Sequence, residues 1–152
     1  MVEGEEDSQV STSIFTDLGR VSNWESVWGE FIANFARGPI IWGQNDCMLM
    51  GGYNLEVLTG EDIWTEHVKK YDTEFGAFRY LKSEVGVEDC EAFWDQYLPT
   101  QPVAMAKRGD LVLFDGCVGI CLGRKSLFKC DEEDGVHVEM IDTLNCNKAW
   151  KI

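Results

Sequence analysis

Cys47 is the side chain of this sequence best placed for chemistry. It closes the run Pro39-Ile40-Ile41-Trp42-Gly43-Gln44-Asn45-Asp46 and opens a helix-forming stretch, Met48 to Leu58. Asp46 is suited to cap that helix, and the N–H groups of the first turn would face the sulfur. A thiol so placed is stabilised as the thiolate, the nucleophilic form. The alternative is a small apolar residue buried at a helix start. A cysteine nucleophile also needs a base that takes and returns a proton near neutral pH, usually an imidazole. The chain has two histidines, His67 and His137. His67, within Glu66-His67-Val68-Lys69, reads as a surface residue. His137 lies in Val136-His137-Val138, where strand alternation sets it opposite the valines, towards solvent or a groove. It is the candidate base for Cys47 if the pair comes within hydrogen-bond reach. Cys117, Cys121 and Cys130 could join Cys47 around a metal, since Cys117 and Cys121 share one face of a strand. No Cys-x-x-Cys spacing supports this, so they read as core residues, and neither a metal nor another cofactor is expected.

The elements that position these groups come from periodicity. Asn23 is a candidate cap for an amphipathic helix with Trp24, Val27, Trp28, Phe31, Ile32 and Phe35 on its buried face, ended by Gly38-Pro39. The helix after Cys47 would bury Leu49, Met50, Tyr53, Val57 and Leu58 and stop at Thr59-Gly60. A third runs from Thr73 to Val85 with Phe75, Phe78, Leu81 and Val85 inward and Gly86 as terminator, and a short fourth covers Cys90 to Tyr97. From Gly109 onward the pattern becomes strands: Asp110–Phe114, Cys117–Leu122, Ser126–Cys130 and Val136–Ile141. Asp115-Gly116, Gly123-Arg124 and Asp134-Gly135 are the hairpin turns. Helices first and an antiparallel sheet afterwards predict an α+β domain.

Composition narrows the functions. A chain of 152 residues, 45% hydrophobic, suits one domain, taken as residues 14–152 behind an acidic flexible tail, residues 1–13, that carries Glu3, Glu5, Glu6 and Asp7. Thirteen Lys and Arg against 27 Asp and Glu leave a net charge of -14, which repels a nucleic-acid backbone. No apolar run is long enough to span a bilayer, and no secretion signal is evident. Without such a signal the six cysteines are expected as thiols. The acidic run Asp131-Glu132-Glu133-Asp134 reads as a solvated turn rather than a calcium loop.

Three ordered segments add a family likeness. They are Trp42-Gly43 with Asp46-Cys47, then Arg108-Gly109-Asp110-Leu111-Val112-Leu113-Phe114, then Val118-Gly119-Ile120-Cys121-Leu122-Gly123. In this order the chain resembles the NlpC/P60 group of papain-like cysteine peptidases. A phage-associated subgroup of small proteins is more similar still, sharing Trp-Gly-x-Asn-Asp-Cys, the Thr-Gly-x-Asp segment at Thr59 to Asp62, and the closing Ala149-Trp150-Lys151-Ile152. The resemblance implies a papain-like NlpC/P60-type fold, N-terminal helices packed on a C-terminal antiparallel sheet, with Cys47 as nucleophile and Trp42, Gln44 and Asp46 around the oxyanion and groove. It also places Cys117 where the family has its histidine, beside Cys47, and Lys129 near the third, orienting position. Neither a thiol nor an ammonium ordinarily shuttles a proton at neutral pH. The implied function is therefore a structural or assembly component of a phage or phage-like tail, made in the host cytoplasm and carried in the virion, with other tail or particle proteins as partners. The alternative is an active cell-wall peptidase or amidase, with peptidoglycan stem peptides as substrate and His137 as base.

Overall fold

A computed structural model of the chain describes residues 13–15, 18–37, 39–132 and 135–152, and side chains outside 130–137. The expected tail therefore lies outside the described residues but for Ser13, as do Gly38, the side chain of His137 and those of Asp131 to Asp134. Among the described residues the architecture is α+β, with four helices and a six-stranded antiparallel sheet.

The first helix, α1 (Trp24–Phe35), buries Trp28 and Phe35. Val27, expected inward, is exposed, and Asn23 makes no side-chain cap. The second, α2 (Cys47–Thr59), is the central helix, with Met48, Leu49, Met50, Asn54, Leu55 and Leu58 all buried. Removing each of its leucines from water contributes about 1.5–3 kcal/mol. Gly51 and Gly52 sit where two indoles press on the helix: a Cβ would come within 2.7 Å of the Trp94 ring or of Trp64 Cβ respectively. The helix stops at Gly60, whose φ of 86° favours glycine. Asn54, inside this packing, accepts from Trp28 Nε1 at 2.8 Å and donates to the Gly109 carbonyl at 2.9 Å, tying α1, α2 and the start of the sheet together.

The third helix, α3 (Glu74–Tyr80), passes into a π-turn at Leu81–Val85, closed by a Gly86 N–H to Leu81 carbonyl bond. Its inward residues are Ala77, Tyr80, Leu81 and Val85; Phe75 and Phe78 are exposed, correcting the expected face. The fourth, α4 (Cys90–Tyr97), follows the Asp89 cap, which accepts from Ala92 N–H, and buries Phe93 and Trp94.

The strands are β1 (Thr100–Gln101), β2 (Leu111–Phe114), β3 (Cys117–Cys121), β4 (Lys125–Glu132), β5 (Gly135–Asp142) and β6 (Lys148–Trp150), in the order β1-β6-β2-β3-β4-β5. The four expected strands are present, and β1 and β6 add to them. Between β2 and β3, Asp115 and Gly116 both have positive φ, 52° and 81°, the pattern of a tight two-residue hairpin. Alternation sorts the side chains. Leu111, Leu113, Val118, Ile120, Leu127 and Trp150 meet the helices, while Val112, Cys121, Phe128, Cys146 and Ala149 form a smaller cluster on the other face.

Candidate functional site

The loop ahead of Cys47 is held by its own polar residues. Asn45 accepts from Ile41 N–H at 2.5 Å and donates to the Pro39 carbonyl at 3.1 Å, folding the segment into a turn. Gly43 has φ 88°, and a Cβ there would lie 2.0 Å from the Tyr71 carbonyl oxygen, so the close approach admits only glycine. Lys69 N–H donates to the Gly43 carbonyl at 2.7 Å. Asp46, 1% exposed, caps α2 by accepting from Leu49 N–H at 3.3 Å, and also accepts from Gly43 N–H at 2.8 Å and Tyr71 Oη at 2.9 Å. Burial and the Asp46 charge push the Tyr71 phenol far above its ordinary range, so it remains a donor. Tyr53 Oη bonds the Gln44 carbonyl at 2.6 Å.

Cys47 thus begins α2 as expected, partly buried, but its surroundings differ from those the sequence predicts. The group that acts on it most strongly is the thiol of Cys90, the first residue of α4. The backbone of Val118 in β3 also favours ionisation of that sulfur. The Cys90 thiol is the largest influence and holds Cys47 below the ordinary thiol range, against burial and the Asp46 carboxylate, which raise it. Cys90 moves well above that range, first through its interaction with Cys47 and then because it is buried.

The other sequence candidates scatter. Cys117 is exposed at the start of β3, and the groups that act on Cys47 are the Cys90 thiol and the backbone of Val118, the residue after Cys117. Cys121 belongs to the cluster on the far face of the sheet, away from α2, so it cannot share a metal with Cys47. Among the described residues no three His, Cys, Asp or Glu side chains gather closely enough to hold a metal ion. Lys129 is buried and donates to the Arg37 carbonyl at 2.8 Å just past the end of α1, with its amine 5.2 Å from the Phe35 ring centre. It braces α1 on the sheet, and burial draws its pKa down. His137 lies on the outermost strand, β5, in register with Cys130 of β4. Trp42 and Gln44 line a shallow groove of about 360 Å³ with Lys69, Lys70, Tyr71 and Asp72.

His67 is buried, correcting its surface assignment: its Nδ1 lies 2.7 Å from Tyr80 Oη, and its ring packs edge-on against Phe93. Sequence reasoning also passed over Cys90. The signal was present, because Asp46-Cys47 and Asp89-Cys90 are the same dipeptide, each starting a helix.

A second buried carboxylate explains another of the motifs. Asp110, in Arg108-Gly109-Asp110-Leu111, is fully buried. Its Oδ1 accepts from Arg20 Nη2 at 2.9 Å and Ile152 N–H at 3.0 Å, and its Oδ2 from Gln101 Nε2 at 2.8 Å and Lys107 N–H at 2.9 Å. Arg20 reaches on to the Ile152 and Arg108 carbonyls. The Ala-Trp-Lys-Ile segment is thereby fastened to the front of β2, and Asp62 of Thr-Gly-x-Asp caps the turn at Trp64 and Thr65.

A family model described as a domain of unknown function (DUF6950) matches residues 19–152, and the chain belongs to that family. No curated protein and no solved structure matches it.

Proposed function

Proceeding from that membership, we propose that the chain is a non-catalytic structural or assembly component of a phage or phage-like tail, built on a degenerate NlpC/P60-type fold. The observation that carries the non-catalytic part is the set of groups that act on Cys47 among the described residues: the Cys90 thiol, the backbone of Val118 and the Asp46 carboxylate. A thiol at the start of a central helix, met by the first residues of a sheet strand, is an arrangement that such a peptidase would use. Among the described residues, none of those groups both accepts and returns a proton near pH 7, as a cysteine nucleophile requires. Meanwhile Gly43, Asn45, Asp46 and Asp110 all make structural hydrogen bonds, so the shared motifs have a use that requires no turnover. The tail assignment rests on the likeness of Trp-Gly-x-Asn-Asp-Cys and Ala-Trp-Lys-Ile to phage-associated proteins. The negative charge argues for protein partners over nucleic acid.

One observation favours the active cell-wall peptidase as the second reading: the thiol of Cys47 is held below its ordinary range. Purified protein incubated with peptidoglycan stem peptides separates the two. The assembly reading expects no product above that of Cys47→Ala, and recovery of the chain by mass spectrometry from purified particles. Turnover lost on Cys47→Ala, or absence from particles, overturns it.

A further inference from the structure

We propose that a cleft beside His67 binds a protonated primary amine between the His67 imidazole and the carboxylates of Glu66 and Glu84. The cleft, of about 670 Å³, lies where the turn at Thr65–His67 meets the π-turn after α3 and the end of α4, and Lys70, Tyr80 and Tyr97 also line it. Its distinguishing group is the imidazole. The His67 side chain is 5% exposed, its ring packs edge-on against Phe93, and its Nδ1 is taken by Tyr80 Oη at 2.7 Å. The other ring nitrogen, Nε2, is buried without a hydrogen-bond partner among the described residues. Glu66 Oε2 lies 3.3 Å from it without forming a hydrogen bond, and the Glu66 side chain, 72% exposed, has room to turn and share a ligand with it.

A buried polar atom left unpaired is costly, and this one calls for a donor. With the ring proton on Nδ1 and donated to Tyr80, Nε2 presents a lone pair beside a carboxylate oxygen. A protonated primary amine carries three N–H donors on one cation: one for Nε2, one for Glu66, and one for Glu84 or a phenol. Charge favours the same ligand, because Glu66 and Glu84 outnumber Lys70, the one cation among the lining residues. Burial first, then Glu66 and Glu84, raise the Tyr80 phenol; burial first, then Glu66, raise that of Tyr97. The field of the carboxylates therefore reaches both rings. A metal ion does not suit the cleft, since among the described residues no three His, Cys, Asp or Glu side chains gather closely enough to hold one. A free amine and the lysine side chain of a partner protein both present the required group.

The test uses the full chain, whose two histidines are followed by long-range proton–nitrogen NMR of the imidazoles at about pH 7.5, above the ordinary histidine pKa. His67 is expected to show a protonated Nδ1 and a bare Nε2. Butylammonium and Nα-acetyl-lysine amide, the free-amine and side-chain probes, should shift that Nε2 signal saturably and leave the His137 signal unmoved. The tighter probe identifies the source of the amine. Glu66→Gln and Glu84→Gln, both at exposed positions, should each weaken binding at least about tenfold, the scale of a hydrogen bond to a charged group. Lys70→Met should tighten it, and Glu61→Gln, outside the cleft, should leave it unchanged. A protonated Nε2 in the free chain, an equal shift with tetramethylammonium, which has the charge but no N–H, or undiminished binding by both glutamine variants overturns the proposal. Neither the hydrolysis assay nor recovery from particles bears on this result.

Discussion

Two buried aspartates, Asp110 and Asp46, stand in the two motifs that most resemble a peptidase, and the structure stabilises them differently. Asp110 has a cation: Arg20 lies 2.9 Å away, with side chains 9% and 1% exposed, and three neutral donors complete the set. Asp46 has three neutral donors, two of them backbone N–H groups, together with the start of a 13-residue helix. A buried charge can thus be held by an opposite charge or by oriented dipoles, and removal should cost unequally, because only the first leaves an uncompensated charge. The contrast also separates roles. The Asp110 clamp joins segments far apart in the chain, whereas the Asp46 cap arranges the loop leading into one sulfur.

Substitutions rank this contrast. Asp110→Ala should cost about 3–5 kcal/mol in urea unfolding, because Arg20 would remain buried without its carboxylate. Asp46→Ala should cost about 2 kcal/mol, a lost cap and a stranded phenol together. A larger loss at 46 than at 110 would break the comparison. Tyr71→Phe removes one donor to Asp46 and should cost about 1 kcal/mol, sharpening the account of how the dipolar set divides its work.

The smallest expected effect is a pH dependence from His67. Burial chiefly lowers its pKa, with Glu66 opposing and Lys70 adding to the lowering. The unfolded chain then binds that proton more readily. The contribution is full above about pH 6.5, the unfolded value, and is lost as pH falls below it through the lowered folded value. His67→Gln should lose that part of the slope when urea midpoints are compared with the parent between about pH 5 and 8. Parallel slopes would show that the imidazole is not held neutral by its site.

Local signals made much of the fold legible. The Asp46 cap, the stops at Gly60 and Gly86, and the Asp115-Gly116 turn are short-range chemistry and stand where the sequence puts them. The inward face of α3 was legible only in part: Leu81 and Val85 turn inward as expected, while Ala77 and Tyr80, ahead of the π-turn, take the places expected of the larger Phe75 and Phe78. Strands β1 and β6 have two and three residues, too few for alternation to show; they exist because β2 offers an edge to Lys148–Trp150 and β6 then offers one to Thr100–Gln101. At the candidate site the Cys47 position and its cap were readable. For Cys90 the sequence held only a local signal, the repeated Asp-Cys dipeptide, and its action on Cys47 depends on long-range packing of α4.

The indole of Trp94 rides in the notch at Gly51, and among the described residues its Nε1 meets no hydrogen-bond partner. Nothing polar would be forfeited if a slimmer ring replaced it. The two positions are therefore free to drift only as a couple: a methyl added to the helix at 51 would be tolerated when 94 shrinks in step, and either change alone would leave a collision or a hollow.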